Sequence, residues 1–266
     1  MPAQRGPEHQ EGRALAAAGP GRAGVTDLAM LVDLAAGAAL RAELGADRRL
    51  ATTALDVQLL SPLPDLDQLV ARATTSASDG RRGTAGVELL AGGAALGHAV
   101  VAFAVLGGGL PPVPWEQPSG TPDYVVAGAE DALDPAGRTA LAQVRDAGAL
   151  SWSEALLQGG CTRAGTSSTV LQPSPLMANR AGGVQGGVLV GLAVLAAAGS
   201  VENAGQLDAV HVDFAAAASV STEISASVAT LRHGRRSQLR RVDLHQDTEH
   251  EEKVLVAAAT VALRTV

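Results

Sequence analysis

Two stretches of the chain hold complementary parts of a site that could process a carbonyl group. Asn179-Arg180-Ala181-Gly182-Gly183-Val184-Gln185-Gly186-Gly187 runs into Val188–Ala198, an uncharged apolar stretch that reads as a buried helix opening on two glycines. Amides in the first turn of a helix have no intrahelical acceptor, and the helix dipole favours negative charge beside them. They suit the oxyanion that forms when a carbonyl is attacked, and losing one such donor typically costs about 10²–10³ in rate. Gly186 is the expected donor, with Gly187 beside it against the substrate. The first half offers the acid instead: Gly24-Val25-Thr26 opens Asp27–Leu44, and Asp33 sits in its middle, between Leu28-Ala29-Met30-Leu31-Val32 and Leu34-Ala35-Ala36. A carboxylate left unpaired in apolar surroundings costs several kcal/mol, on the order of a whole side chain's burial, so Asp33 must reach a partner or a cleft. It can act as general base on water or as nucleophile forming a mixed anhydride. With Gly24 superposed on Gln185, Asp33 falls on Val194 and Asn179 on Ala18, so each half keeps what the other lacks. One site per chain, shared between the halves, is the simplest expectation.

Each residue also has a structural reading. Paired glycines permit close helix packing, and an Asn before a glycine-rich loop is a common turn residue. Asn179 either positions water or holds its loop, and Gln185 orients the substrate or the carboxylate.

The elements that must position these residues repeat. After each helix comes an alternating strand, Ala54–Leu59 and Ala209–Phe214, then Gln68–Ser76 and Glu223–Leu231. Turns with a shared core follow, Gly80-Arg81-Arg82 and Gly234-Arg235-Arg236. Two further strands close each half, Thr84–Ala91 with Leu96–Val105 and Gln238–His245 with Lys253–Leu263. Gly107-Gly108-Gly109-Leu110-Pro111-Pro112 reads as the end of the first half, because glycine and proline runs do not continue a strand well. The expected organisation is therefore residues 1–112, a linker over 113–145 with a helix over Ala140–Gln158 leading on, and a second unit over 146–266. The first dozen residues are expected to lie outside the folded body. An apolar helix followed by four antiparallel strands predicts an α+β fold in which each sheet curls around its helix.

The motif Asn-x-x-Gly-x-x-Gln-Gly-Gly opening a helix, and an acid nine residues beyond the Gln position, resemble the hot-dog thioesterases of the phenylacetate-degradation (PaaI-like, 4-hydroxybenzoyl-CoA thioesterase) type, here as a tandem double hot dog. The resemblance covers nearly all of the chain after about residue 12. It implies a double hot-dog fold and acyl-CoA thioester hydrolysis, with donors from one hot dog and the carboxylate from the other. It also implies a hydroxyl at the start of the first strand that assists the acid, a place held by Thr52 or Thr53. Gln185 stands where many members of that family have His. Hydratases of the same fold place His five residues after Asp, and no such pair occurs in this sequence. A non-catalytic acyl-binding or assembly protein is the alternative, although such a protein has little use for Asp33.

The bulk properties narrow the partners. A net charge of −7 over 266 residues gives no basic footprint for nucleic acid or an anionic membrane. The weakly polar Leu89–Val113 is interrupted by His98, glycines and Pro111-Pro112, so no membrane span is expected. One cysteine, Cys161, cannot form an internal disulfide, and a cytoplasmic location is the expectation. Arg235 and Arg236, with Arg232, Arg240 and Arg241 nearby, are the candidates for coenzyme A phosphates, and Arg81-Arg82 form the matching pair. His245-Gln246-Asp247-Thr248-Glu249-His250 has metal-ligand residue types but reads as a solvated hairpin, so neither a metal nor a cofactor is expected. No Gly-x-Ser-x-Gly elbow, P-loop or dinucleotide fingerprint occurs. Exposed sheet edges suggest a homo-oligomer, a dimer or trimer of double units.

Overall fold

Alternating small apolar and polar residues drive most of this chain into strands, and two uncharged or weakly charged apolar runs become the helices those strands cover. The computed structural model describes residues 10–12, 23–45, 47–65, 68–109, 135, 137–139, 142, 151–163, 168–179, 181–201, 206–247 and 252–264. In chain order they form β1 (Gln10–Gly12), α1 (Val25–Leu44), β2 (Arg48–Leu59), β3 (Leu69–Ser78), β4 (Arg82–Ala91) and β5 (Ala94–Gly109). The second half continues with α2 (Trp152–Gly160), β6 (Cys161–Arg163), β7 (Ser168–Leu171), a 3₁₀ turn (Pro175–Met177), α3 (Gly186–Gly199), β8 (Gln206–Phe214), β9 (Ile224–His233), β10 (Ser237–Asp247) and β11 (Lys253–Arg264).

All these strands join one antiparallel sheet in the order β1-β3-β4-β5-β2-β8-β11-β10-β9-β7-β6. The two halves meet at β2 and β8, where Leu55 pairs with Val212 and Asp56 with His211. Outward from that seam each half repeats the same order, so the sheet has an approximate two-fold axis through its centre. On the outer face of the seam His211 sits 3.3 Å from both Asp56 and Asp213, a polar clasp between the halves. The fold is the double hot dog that the sequence predicts, with a helix and a curled antiparallel sheet in each half.

Several boundaries differ from expectation. β5 continues through Gly107–Gly109, because glycine weakens a strand without forbidding extended backbone and β2 offers Arg48 as ladder partner to Gly109. Gln10–Gly12 pair with Ala71–Ala73 as an edge strand, where no structure was expected. Of the helix expected over Ala140–Gln158, Ala142 is helical and Trp152–Gln158 lie in α2, which Ser151, extended in backbone, caps by accepting the Glu154 amide at 3.1 Å; the rest lies outside the described residues. Most of the expected 113–145 linker lies outside the described residues. His245–Asp247 extend β10 rather than forming a turn, and Gln246 fastens the adjoining loop by donating to Ser219 O and Thr222 O. β6 and β7 had no counterpart in the sequence reading. The two edges of the sheet are three-residue strands, which leaves little ladder for edge-to-edge growth.

The helices lie on one face of the sheet and touch. A Cβ placed on Gly187 would lie 2.9 Å from the Met30 backbone nitrogen and 3.2 Å from its Cα. One placed on Gly191 would lie 2.1 Å from Thr26 Oγ1. Moving forward along α3 from Gly187 to Gly191 therefore moves backward along α1 from Met30 to Thr26, and the helices run antiparallel. Around this contact Leu28, Val32, Leu40, Leu192 and Ala193 are buried, each large apolar side chain contributing about 1.5–3 kcal/mol.

The Gly187 contact is against backbone, which cannot rotate away. Gly187→Ala is expected to push the helices apart and lower stability by about 1–3 kcal/mol, read from the urea midpoint.

Candidate active site

The loop before α3 is stitched by one side chain. Asn179 Oδ1 accepts the amides of Ala181 at 2.8 Å and Gly183 at 3.2 Å, while its Nδ2 donates to Val184 O at 3.4 Å. Its backbone amide donates to Gly183 O at 2.7 Å and its carbonyl accepts from Gly182. Of its two sequence roles, these bonds fit the residue that holds the loop. Gly182 has φ +84°, a conformation natural to glycine and strained for other residues. Gln185 then caps α3: its amide donates to Met177 O and its carbonyl accepts from Val188 and Leu189. Among the described residues neither the Gly186 nor the Gly187 amide has an acceptor, as expected of a helix's first turn. Gly187 is buried against Met30, whereas Gly186 is only partly buried. The Phe214 ring stands 3.5 Å from where a Cβ on Gly186 would be.

Asp33 is brought to that opening by the helix contact. Met30 lies against Gly187, and three residues further along α1, about 4.5 Å of rise, the chain reaches Asp33 on the same side. Because the helices are antiparallel, that step leads toward and past the start of α3. Thr52 Oγ1 donates to Asp33 Oδ1 at 2.6 Å, while Thr53 turns away to Ala102 O. A bulge between Thr52 and Ala54 produces this choice, since one extra residue turns consecutive threonines to different partners. Burial pushes the Asp33 carboxyl above its ordinary range, the Thr52 hydrogen bond and the Arg41 charge opposing it. The structure thus brings Asp33, Thr52 and the Gly186 amide to one end of the helix pair.

The other end of the pair is closed. Val194 is level with the start of α1, as Asp33 is with the start of α3, and it is buried. Its neighbouring amide is occupied: Thr26 N donates to Glu154 Oε1 at 2.7 Å, the carboxylate arriving from α2. Gly24 makes room, since a Cβ there would fall 1.8 Å from Glu154 Cγ. Asp27 locks the arrangement, accepting the Gly24 amide at 2.9 Å, Ser151 Oγ at 2.5 Å and Ser153 Oγ. Burial, more than any neighbouring charge, pushes Glu154 above its ordinary range.

Other candidates fall away from the open end. Arg235 and Arg236 are exposed beyond β10, beside the Arg264–Gln206 end of β11 and β8. Phe214 is at the far end of β8, eight residues or about 26 Å away. The matching pair Arg81-Arg82 lies instead at the end that carries Thr52. Burial pushes the Cys161 thiol up to about 12, which keeps it protonated and unfit as a nucleophile. Among the described residues no group of His, Cys, Asp and Glu could hold a metal, and no helix is long and apolar enough to cross a membrane. Phe214 is the site residue that the sequence reading missed. Its signal is scarcity: of the chain's two phenylalanines, Phe214 covers Gly186 and Phe103 pairs with Thr52.

Comparison with known proteins bears on the fold and on the second half of the chain. Residues 174–263 match the family described as the N-terminal domain of acyl-CoA thioesterases. That span begins at the 3₁₀ turn and takes in α3 and β8 to β11. The fold is similar to a protein assigned as an oleoyl thioesterase from Lactobacillus plantarum, with TM-score 0.61, 12% identity, and 97% and 96% of the two chains covered. It is also similar to a tesB protein from Mycobacterium avium subs paratuberculosis, with TM-score 0.54, 14% identity, and 92% and 88% covered. A thioesterase structure from Novosphingobium aromaticivorans gives TM-score 0.53 at 15% identity, with 96% and 93% covered. No curated protein matches by sequence. The fold is that of the double hot-dog proteins, and with the domain match it supports a thioester hydrolase.

The closed end makes its own forecast. Glu154→Gln keeps an acceptor for the Thr26 amide without the buried charge, whereas Glu154→Ala leaves that amide unpaired at a cost of about 1–3 kcal/mol. Thermal melts at neutral pH should rank the Gln variant at or above the native protein and the Ala variant below it.

Proposed function

We propose that the protein hydrolyses acyl-CoA thioesters at one site per chain, between Asp33 of α1 and the first turn of α3. The observation that carries this reading is a partly buried carboxylate, hydrogen-bonded to Thr52 and set one helical turn from the residue that touches Gly187. The loop Asn179–Gly187 carries the likeness to the phenylacetate-degradation type.

The thioester oxygen accepts the Gly186 amide, whose helix dipole favours the charge that develops there. Thr52 holds Oδ1 of Asp33, so Oδ2 faces the reaction. Asp33 takes a proton from water as the water oxygen bonds to the carbonyl carbon. The tetrahedral intermediate then expels the thiolate, the carbon–sulfur bond breaks, and the proton held by Asp33 passes to sulfur. Free acid and CoA thiol leave. Asn179 keeps the α3 opening in shape and Gln185 stands beside it. Met30, Leu34 and Phe214 supply apolar contact for the acyl chain. The nucleophilic route has Asp33 attack directly, form the mixed anhydride and release the thiol before water acts. Single turnover in ¹⁸O-water that labels the Asp33 side chain establishes that route, whereas label in the product acid alone is shared by the base and by an anhydride opened at its acyl carbonyl.

The sign of the pH effect follows from burial. Catalysis needs ionised Asp33, whose pKa in the folded protein burial raises above the ordinary 3.8, so kcat should rise with pH through that elevated value. Thr52→Val removes a bond that favours the ionised form, and the acidic limb of the pH–rate profile should move further up.

Stability runs the opposite way. A raised carboxyl pKa makes ionised Asp33 a cost to the fold, absent below the ordinary carboxylate range and complete above the folded-state value. Asp33→Asn is therefore expected to melt higher than the native protein at pH 7, with the gap closing in acid. The same variant should lose about 10² or more in kcat across a panel of short, long and aryl acyl-CoAs. A native protein that binds acyl-CoA without turnover would establish a binding module instead.

A further inference from the structure

Glycines inside the two long helices are there for different reasons. At Gly187 and Gly191 packing demands them, since a Cβ at either would run into α1. At Gly37 it does not. A Cβ there would lie 3.4 Å from Arg41 Nη1 and 3.9 Å from both Leu50 Cδ1 and Phe103 Cζ, all ordinary contacts. Glycine is also a poorer helix former than alanine in a helix interior. What sets the position apart is its place between two charges, with Asp33 four residues before it and Arg41 four residues after. Four residues advance a helix about 6 Å and turn it only about 40°, so Asp33, Gly37 and Arg41 form one strip along α1.

Asp33 and Arg41 are eight residues apart, beyond the usual pairing at three or four. Helical side chains lean toward the N-terminus, and the Arg41 guanidinium does so far enough for Nη1 to lie over Gly37. β2 fixes it from the side, where Arg48 O accepts Arg41 Nε at 3.3 Å. With no side chain at 37, nothing on the strip itself stands between the guanidinium and Asp33.

Among the described side chains, the other elements around Asp33 bring no charge to it. α3 carries none. β2 presents Thr52, with Arg49 and Arg48 three and four residues further back. On β3, β4 and β5 the positions buried against α1 are uncharged, and Arg72, Arg82, Glu88 and His98 occupy the exposed alternation. On β8, His211 and Asp213 belong to the outer clasp with Asp56. On α2, Glu154 is bound to Thr26 at the other end. Arg41 is the one charge that bears on the Asp33 carboxyl. The internal repeat shows the same association: with Gly24 on Gln185, Asp33 falls on Val194, Gly37 on Ala198 and Arg41 on Glu202. The copy that lacks the acid lacks the gap and the cation as well.

We propose that Arg41 is a positioning residue for Asp33, acting along the strip of α1 that Gly37 leaves clear. Its charge favours the ionised carboxylate against the burial that opposes it, while Thr52 supplies a neutral donor to the same group. This inference rests on the thioesterase reading for its use in catalysis, whereas the coupling of Arg41 to Asp33 is a property of the folded chain. A purely structural Arg41 would only tie the last turn of α1 to β2 and complement the helix dipole.

Two measurements on the full-length protein separate these roles, with Arg41→Gln, Arg41→Lys and Gly37→Leu. The first is the pH dependence of kcat for octanoyl-CoA. Arg41→Gln should move the acidic limb upward, lowering kcat about threefold or more at a pH on the native limb, with a smaller loss on the plateau. Arg41→Lys keeps the charge and should recover most of that loss. Gly37→Leu puts a side chain on the strip with Arg41 still present and should move the limb the same way. The second measurement needs no turnover: the melting-temperature gap between Asp33→Asn and its parent, followed from about pH 4 to 8 with and without Arg41→Gln. Without Arg41 the ionised carboxylate costs the fold more, so the gap should widen at neutral pH and close at a higher pH than in the native background. An acidic limb that stays in place in Arg41→Gln, or moves as far in Arg41→Lys, would overturn the proposal. A gap independent of Arg41 would do the same and leave the structural tie. Absent hydrolysis by the native protein, with the gap still dependent on Arg41, would sink the thioesterase reading and leave the coupling standing.

Discussion

The close approach of α1 and α3 sets everything else in this molecule. Gly187 against Met30 and Gly191 against Thr26 fix both the antiparallel direction of the helices and their stagger. With that stagger, the residue nine places after each helix cap comes level with the opening of the other helix. A shift of one turn would carry Asp33 about 5.4 Å from the α3 amides. Side chains at 187 and 191 would force such a shift or a wider gap, so two missing Cβ atoms hold the acid in register with the donors. The sheet reinforces the same geometry from below, because the β2–β8 seam ties the two halves where Thr52 and Phe214 flank the site.

The two ends of the helix pair started from one plan and meet opposite physical fates. At one end a partly buried carboxylate belongs to α1, and the Gly186 amide of α3 has no acceptor among the described residues. At the other the acid position is Val194 and the amide is filled from α2 by Glu154. Burial pushes both carboxyls upward, yet their surroundings differ. Asp33 has one side-chain donor and a cation along its own helix, an arrangement that leaves one oxygen available. Glu154 is bonded to backbone and packed beside Asp27, whose oxygens are taken up by Ser151 and Ser153. A carboxylate held that way has little left to exchange with a substrate, and it stabilises a helix start that would otherwise present unsatisfied donors.

Much of this was legible in the sequence because it depended on local rules. Helix starts are marked by caps and glycines, so superposing Gly24 on Gln185 aligned the two N-caps that the structure contains. Strand order followed from alternation and from the repeated Gly-Arg-Arg turn. Thr52 and Thr53 could not be separated by inspection, since the difference is a bulge, a property of the pairing with β5 rather than of either residue. β5 ran through three glycines for a similar reason: the ladder partner at Arg48 decides, not the glycines' own preference. Glu154 was out of reach of any local rule, because its acceptor role joins residues 128 apart.

The two arginine pairs show what a repeat hides. In sequence Gly80-Arg81-Arg82 and Gly234-Arg235-Arg236 are equivalent turns, and the second has more arginine around it. Strand direction distinguishes them. β4 begins level with Thr52, whereas β10 begins level with the end of β8 farthest from Phe214. In a fold with two-fold symmetry, equivalent hairpins must lie at opposite ends of the helix pair, so only one can stand beside a given helix opening. The end marked by Asp33 and Gly186 is the one at which Arg81-Arg82 stand. Arg235-Arg236 stand at the other end, where Glu154 accepts the Thr26 amide.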